Sequence, residues 1–131
     1  MDGNDYYLYW LESSDQDYKT MLNLYESKDY NWSLFVGHLV IEKLLKALFF
    51  KSNIQPIPKS HDLLRLADIL KIDMNEIQKE QLDMITTFNI NTRYPDYKKA
   101  FFIKCDNEFT KANISIIKEL RQWLKIALIN Q

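Results

Sequence analysis

Residues 30–52, "YNWSLFVGHLVIEKLLKALFFKS", constrain this chain more than any other segment. The run lacks proline and is long enough for about six helical turns. On a helical projection, Val36, Val40, Leu44, Ala47 and Leu48 cover one side. Leu34, Ile41, Leu45 and Phe49 cover nearly the opposite side. A helix that is apolar on both sides must be buried on both. It therefore lies against a second layer of helices or against another subunit. Between the two faces runs a polar stripe of His38, Glu42 and Lys46, spaced i, i+4, i+8. Glu42 before Lys46 is the favourable orientation for an intrahelical pair. Asp29 is placed to cap the helix. Lys43, Lys46 and Lys51 interrupt the apolar run, leaving no span of about 20 residues that could cross a bilayer.

The rest of the chain supplies the neighbours such a helix needs. With 2 Gly and 3 Pro in 131 residues, it lacks the turn residues of an all-β sandwich. A first amphipathic helix is expected from Asp5 to Ser27, with Tyr7, Leu11, Tyr18, Leu22 and Tyr25 on one face and Leu8 and Met21 beside it. After the extended "NIQPIPKS" loop, Ser60 is read as the cap of a short helix, "HDLLRLADIL". Asp73 with Glu76 resembles a capping box for a fourth helix. Ile77, Met84, Ile85 and Phe88 carry its apolar face, and it is expected to end near Asn89. A last helix starts at Cys105 or Asp106 and runs to about Asn130 on a stripe from Phe109 to Leu128. No repeat or linker divides the chain. The pattern predicts one all-α domain over residues 1–131, an up-and-down four-helix bundle with an additional short helix.

One stretch resists this pattern. Residues 89–104, "NINTRYPDYKKAFFIK", are expected to form the longest loop, and long loops in compact domains are often functional. Four basic residues (Arg93, Lys98, Lys99 and Lys104) stand against Asp96 there, a local charge of +3 in a chain whose net charge is −1. Tyr94, Tyr97, Phe101 and Phe102 alternate with them. Cations among aromatic rings suit a ligand that carries phosphate and a stacking base. The same residues also fit a solvated loop anchored by its phenylalanines, with Arg93 tied to a helix C-terminus. His61 can likewise either close its helix cap or contact an anion, and Glu42 and Lys46 can be a structural ion pair or face a cleft.

Other chemistry finds little material. There is no Gly-rich phosphate loop, no CxxC and no HExxH. Two His and one Cys are too few for an ordinary zinc site, and no metal or other cofactor is expected. The lone Cys105 and an N-terminus unlike a signal peptide suggest a reducing cytoplasm.

Taken in order, "YNWSLFVGHLVIEKLLKALF", "PKSHDLLRLA", "TRYPDY" and "IIKELRQWL" resemble the HEPN domain. The resemblance runs from about residue 10 to 128 and rests on the order and spacing of the pieces. It implies a helical bundle that forms homodimers and associates with nucleotides or RNA. It also implies a minimal nucleotidyltransferase as partner, in a toxin–antitoxin-like pair. Many members of the family are metal-independent RNases, with an Arg, four to six residues, then a His at the dimer seam. Arg93 fits the arginine, but the matching positions hold Lys98, Lys99 and Ala100, and no His follows. The proton-transfer group of that motif is therefore missing, and such groups typically contribute about 10²–10⁴-fold.

Three readings follow. In the first, the domain binds a nucleotide or RNA beside a nucleotidyltransferase, without the intact RNase motif. Arg93 then contacts phosphate, supported by Tyr94, Asp96, Lys98, His61, Glu42 and Lys46. The second is a non-catalytic dimerisation or protein-interaction module. The third is a divergent RNase in which Arg93 is catalytic.

Overall fold

The computed structural model describes residues 3–130, all of whose regular elements are helices. Four long helices, α1 (Gly3–Glu26), α2 (Tyr30–Lys51), α4 (Glu76–Arg93) and α6 (Asn107–Ile129), form the bundle. Two shorter ones, α3 (Leu63–Ile69) and α5 (Pro95–Lys104), pack on its side. α2 is the axis. α1, α4 and α6 surround it, and α3 and α5 touch it from outside.

The doubly apolar α2 is thus explained within one chain. Leu34, Val40, Ile41, Leu44, Leu45, Leu48 and Phe49 are all buried without a second subunit. Of the two expected covers for its second face, another layer of helices or another subunit, the chain's own helices supply the first. The α1–α2 contact is close, and two buried hydroxyls tie it. Ser14 Oγ donates to the Val40 carbonyl at 2.7 Å and Ser33 Oγ to the Met21 carbonyl at 2.8 Å. Each serine thereby satisfies its own polar group in a place where an unpaired one would be costly. Gly37 sits at the junction with α6. A β-carbon there would lie 2.4 Å from Ile117 Cδ1 and 3.1 Å from Met21 Sδ.

Helix ends show where local reading needed correcting. α3 is capped by Asp62, whose carboxylate accepts from the Arg65 N–H, while Ser60 Oγ accepts one step earlier, from the Asp62 N–H. The capping box of α4 is Asn75 with Gln78, two residues beyond Asp73. Ile77 and Leu8 face solvent instead of the core. The cap of α6 is Asp106, accepting from the Phe109 N–H at 2.8 Å.

The largest correction concerns residues 89–104. α4 continues through Asn89 to Arg93, and α5 begins at once with Pro95 at its first turn. Proline ends a helix that precedes it but suits the first position of the next, where its missing N–H has no partner to lose. Tyr94, at φ −84° and ψ 131°, takes the extended conformation required before proline and serves as the hinge between the two helices.

Three helices close on a left-handed residue other than glycine. Lys28, Asn53 and Lys71 adopt φ of 66°, 58° and 58° just past α1, α2 and α3. The N–H after each closes the end, as with Asp29 donating to the Leu24 carbonyl at 2.9 Å. A side chain in this conformation costs roughly 1–2 kcal/mol, partly recovered because glycine is more flexible when unfolded. Lys28→Gly is therefore expected to raise stability by about 0.5–1 kcal/mol, read as a higher midpoint in urea unfolding.

Candidate functional site

Helical geometry turns residues 89–104 into a built surface. On α5, Pro95, Lys98, Lys99 and Phe102 fall at i, i+3, i+4 and i+7 and share one face. Together with Asn31 of α2 and Arg93 at the end of α4, they line an open groove of about 560 Å³. Three cations and no carboxylate line it, with Phe102 as an exposed aromatic wall.

Arg93 is held in a fixed pose. Its Nε donates to the Asn89 carbonyl at 3.1 Å and its Nη2 to Asn89 Oδ1 at 2.8 Å. The extension of α4 makes this possible, since it places Asn89 and Arg93 one turn apart. The Phe35 ring lies 5.4 Å from the guanidinium carbon and the Tyr94 ring 5.7 Å. Two of the five N–H donors are used, which leaves a preset planar fork that can meet two oxygens of a phosphate.

The other expected residues divide. Lys98 joins Arg93, and Tyr94 supports it from the side. Asp96 and Tyr97 lie on the opposite face of α5, in a smaller hollow with Asn91, Ala100, Phe101 and Lys104. Glu42, Lys46 and His61 converge with each other, away from the groove. Glu42, 5% exposed, accepts from His61 Nδ1 at 2.7 Å through Oε1 and from Lys46 Nζ at 3.3 Å through Oε2. Four residues of the groove lie outside the expected ligand set: Asn31, Pro95, Lys99 and Phe102. The signal for Lys99 was its i+4 spacing from Pro95. For Asn31 it was its place seven residues before His38, on the same side of α2 as the polar stripe.

His38 belongs with the second cluster. It is fully buried, and its Nε2–H donates to the His61 carbonyl at 2.9 Å, while Nδ1 has no partner. Burial pushes its pKa below the ordinary 6.5, against the pull of the carbonyl and of Glu42, and the Arg93 charge adds to the lowering. The folded state thus favours neutral His38, and the unfolded chain takes up the proton first as pH falls through the ordinary histidine range. Stability is expected to fall as pH drops through and below the ordinary histidine value of about 6.5, read as a dropping thermal midpoint. His38→Gln, which keeps a donor but cannot titrate, should flatten that slope.

The sequence matches the HEPN domain family over residues 7–127. The chain belongs to the HEPN domain family. The crystal structure of an archaeal HEPN homologue superposes with a TM-score of 0.75 at 16% identity, covering 98% of each chain. That likeness confirms the HEPN helical fold, including the all-α architecture expected from the sequence. No curated protein matches the chain in sequence. Among the described residues of this HEPN domain, no helix is long and apolar enough to cross a membrane, and no three His, Cys, Asp or Glu side chains are grouped to hold a metal ion.

Proposed function

We propose that this HEPN domain binds a phosphate-bearing ligand, a nucleotide or RNA, in the groove of Arg93, Lys98 and Lys99, and does so as a cytoplasmic homodimer beside a nucleotidyltransferase partner. The observation that carries the reading is the groove itself. Its three cations face a common space with no acid among them, and the arginine is pre-oriented by Asn89. Phe102, 65% exposed, offers a surface on which a base can stack. Binding without RNA cleavage is the favoured form. No imidazole lines the groove, and His38, on the same helix as Asn31, is buried with its proton engaged on a carbonyl.

The test is direct titration of the purified domain with AMP, ATP and a short single-stranded RNA at rising salt. Affinity should weaken as salt increases, since exposed cations are screened within about 8–10 Å at physiological ionic strength. Absence of binding by all three at low salt would leave the interaction-module reading in its place. Homodimerisation is read by light scattering, where twice the 15.7 kDa chain mass is expected. Co-purification with a nucleotidyltransferase encoded nearby tests the partner.

A further inference from the structure

The stripe of α2 that passes His38 opens at its other end onto a second hollow, of about 300 Å³. Trp10 and Phe50 form its apolar wall, and Lys46, Lys59 and His61 bring polar groups to it. It shares no lining residue with the Arg93 groove.

The histidine here is held from two directions. Its Nδ1 meets Glu42 Oε1 at 2.7 Å, and its backbone carbonyl accepts from the buried His38 at 2.9 Å. Its side chain is nevertheless 61% exposed. A carboxylate accepts only from an N–H, so Glu42 fixes the proton of the neutral ring on Nδ1 and leaves a lone pair on Nε2. The Glu42 charge is itself offset by Lys46. Lys46 Nζ also lies 5.5 Å from the centre of the Trp10 ring, so that cation sits at the wall of the hollow. The neighbouring acid, Asp62, is turned to its own helix cap. The hollow thus combines two ammonium groups, an aromatic wall and one oriented hydrogen-bond acceptor.

We propose that this hollow is a second ligand site, for a phosphate monoester whose organic part carries a hydroxyl group. The phosphate meets Lys46 and Lys59, the organic part lies on Trp10 and Phe50, and the hydroxyl donates to His61 Nε2. Glu42 is a positioning residue that sets which histidine nitrogen accepts. The site does not depend on the Arg93 reading.

Proton–nitrogen NMR of the histidine rings and the Trp10 indole tests it, with ribose 5-phosphate, AMP and inorganic phosphate as probes. Either ester is expected to move the His61 Nε2 and Trp10 signals, in the wild type and equally in Arg93→Ala. A response to both would show that a sugar phosphate suffices, and a response to AMP alone that the flat ring is needed. His61→Ala should weaken the affinity read at Trp10 by roughly 3- to 10-fold, as for one lost hydrogen bond. Glu42→Gln should move the ring proton toward Nε2, visible in its nitrogen shift, and weaken binding similarly. The proposal is overturned if neither ester moves these signals. It is equally overturned if inorganic phosphate moves them as much, or if His61→Ala binds as tightly as the wild type. A response lost in Arg93→Ala would place the ligand in the first groove instead.

Discussion

Replacing Arg93 by Ala should remove most of the thermal shift that AMP or ATP gives the wild-type domain. Arg93 is the one groove cation whose pose is set before any ligand arrives, by two hydrogen bonds to Asn89 and two flanking rings. A charge-assisted contact of this kind contributes about 1.5–3 kcal/mol, which corresponds to roughly 10- to 150-fold in affinity. Lys98 and Lys99 are mobile point charges by comparison, so alanine at either should cost less. Arg93→Lys is informative, since it keeps the charge but loses the fork. It should recover only part of the affinity. The substitution removes only an exposed side chain and the bonds to Asn89, so the unliganded domain should melt close to the wild type. A nucleotide shift of full size in Arg93→Ala would show that the phosphate is held elsewhere.

Phe101→Ala should have the largest effect on the fold and should take the groove with it. Phe101, 4% exposed, is the buried residue of α5. Its ring lies 5.5 Å from Phe88 of α4 and 6.5 Å from Phe109 of α6, and it thereby ties three helices together. Truncating a buried phenylalanine to alanine typically costs about 3–5 kcal/mol. The opposite face of α5 carries Pro95, Lys98, Lys99 and Phe102, so loosening this anchor moves one wall of the groove relative to Arg93. Urea unfolding should show the loss of stability. Ligand titration, under conditions where the variant is still folded, should show weaker binding than in Lys98→Ala. Phe101→Leu keeps most of the buried volume and should retain both properties to a large extent. Undiminished binding by a destabilised Phe101→Ala domain would mean that α5 is not part of the ligand site.

Much of this architecture could be read from periodicity. The span of α2, its two apolar faces and the stripe of α6 follow from side-chain spacing along single helices. The pairing of Glu42 with Lys46 follows too, because residues four apart on one helix are neighbours whatever surrounds them. Residues 89–104 depart from the expected loop for a local reason. Pro95 ends one helix but also suits the start of the next, and a ten-residue helix such as α5 shows only weak amphipathicity when a single residue, Phe101, is buried. Once those residues are helical, Lys98 turns toward Arg93 and Asp96 turns away from it. No reading as a loop could have separated them.

By itself the sequence determined that the chain is helical, that α2 is buried on both faces, that Arg93 stands at a corner, and that no histidine follows it. These follow from residue identity and from the 3.6-residue repeat. Only the tertiary structure decided which helices cover the two faces of α2, and that they belong to the same chain. It also decided that Arg93 and His61 line separate hollows. The physical reason is that periodicity fixes which residues share a face of one helix. Which neighbour meets that face depends on how several helices pack around it at once, through contacts such as Gly37 against Ile117 that no single segment records.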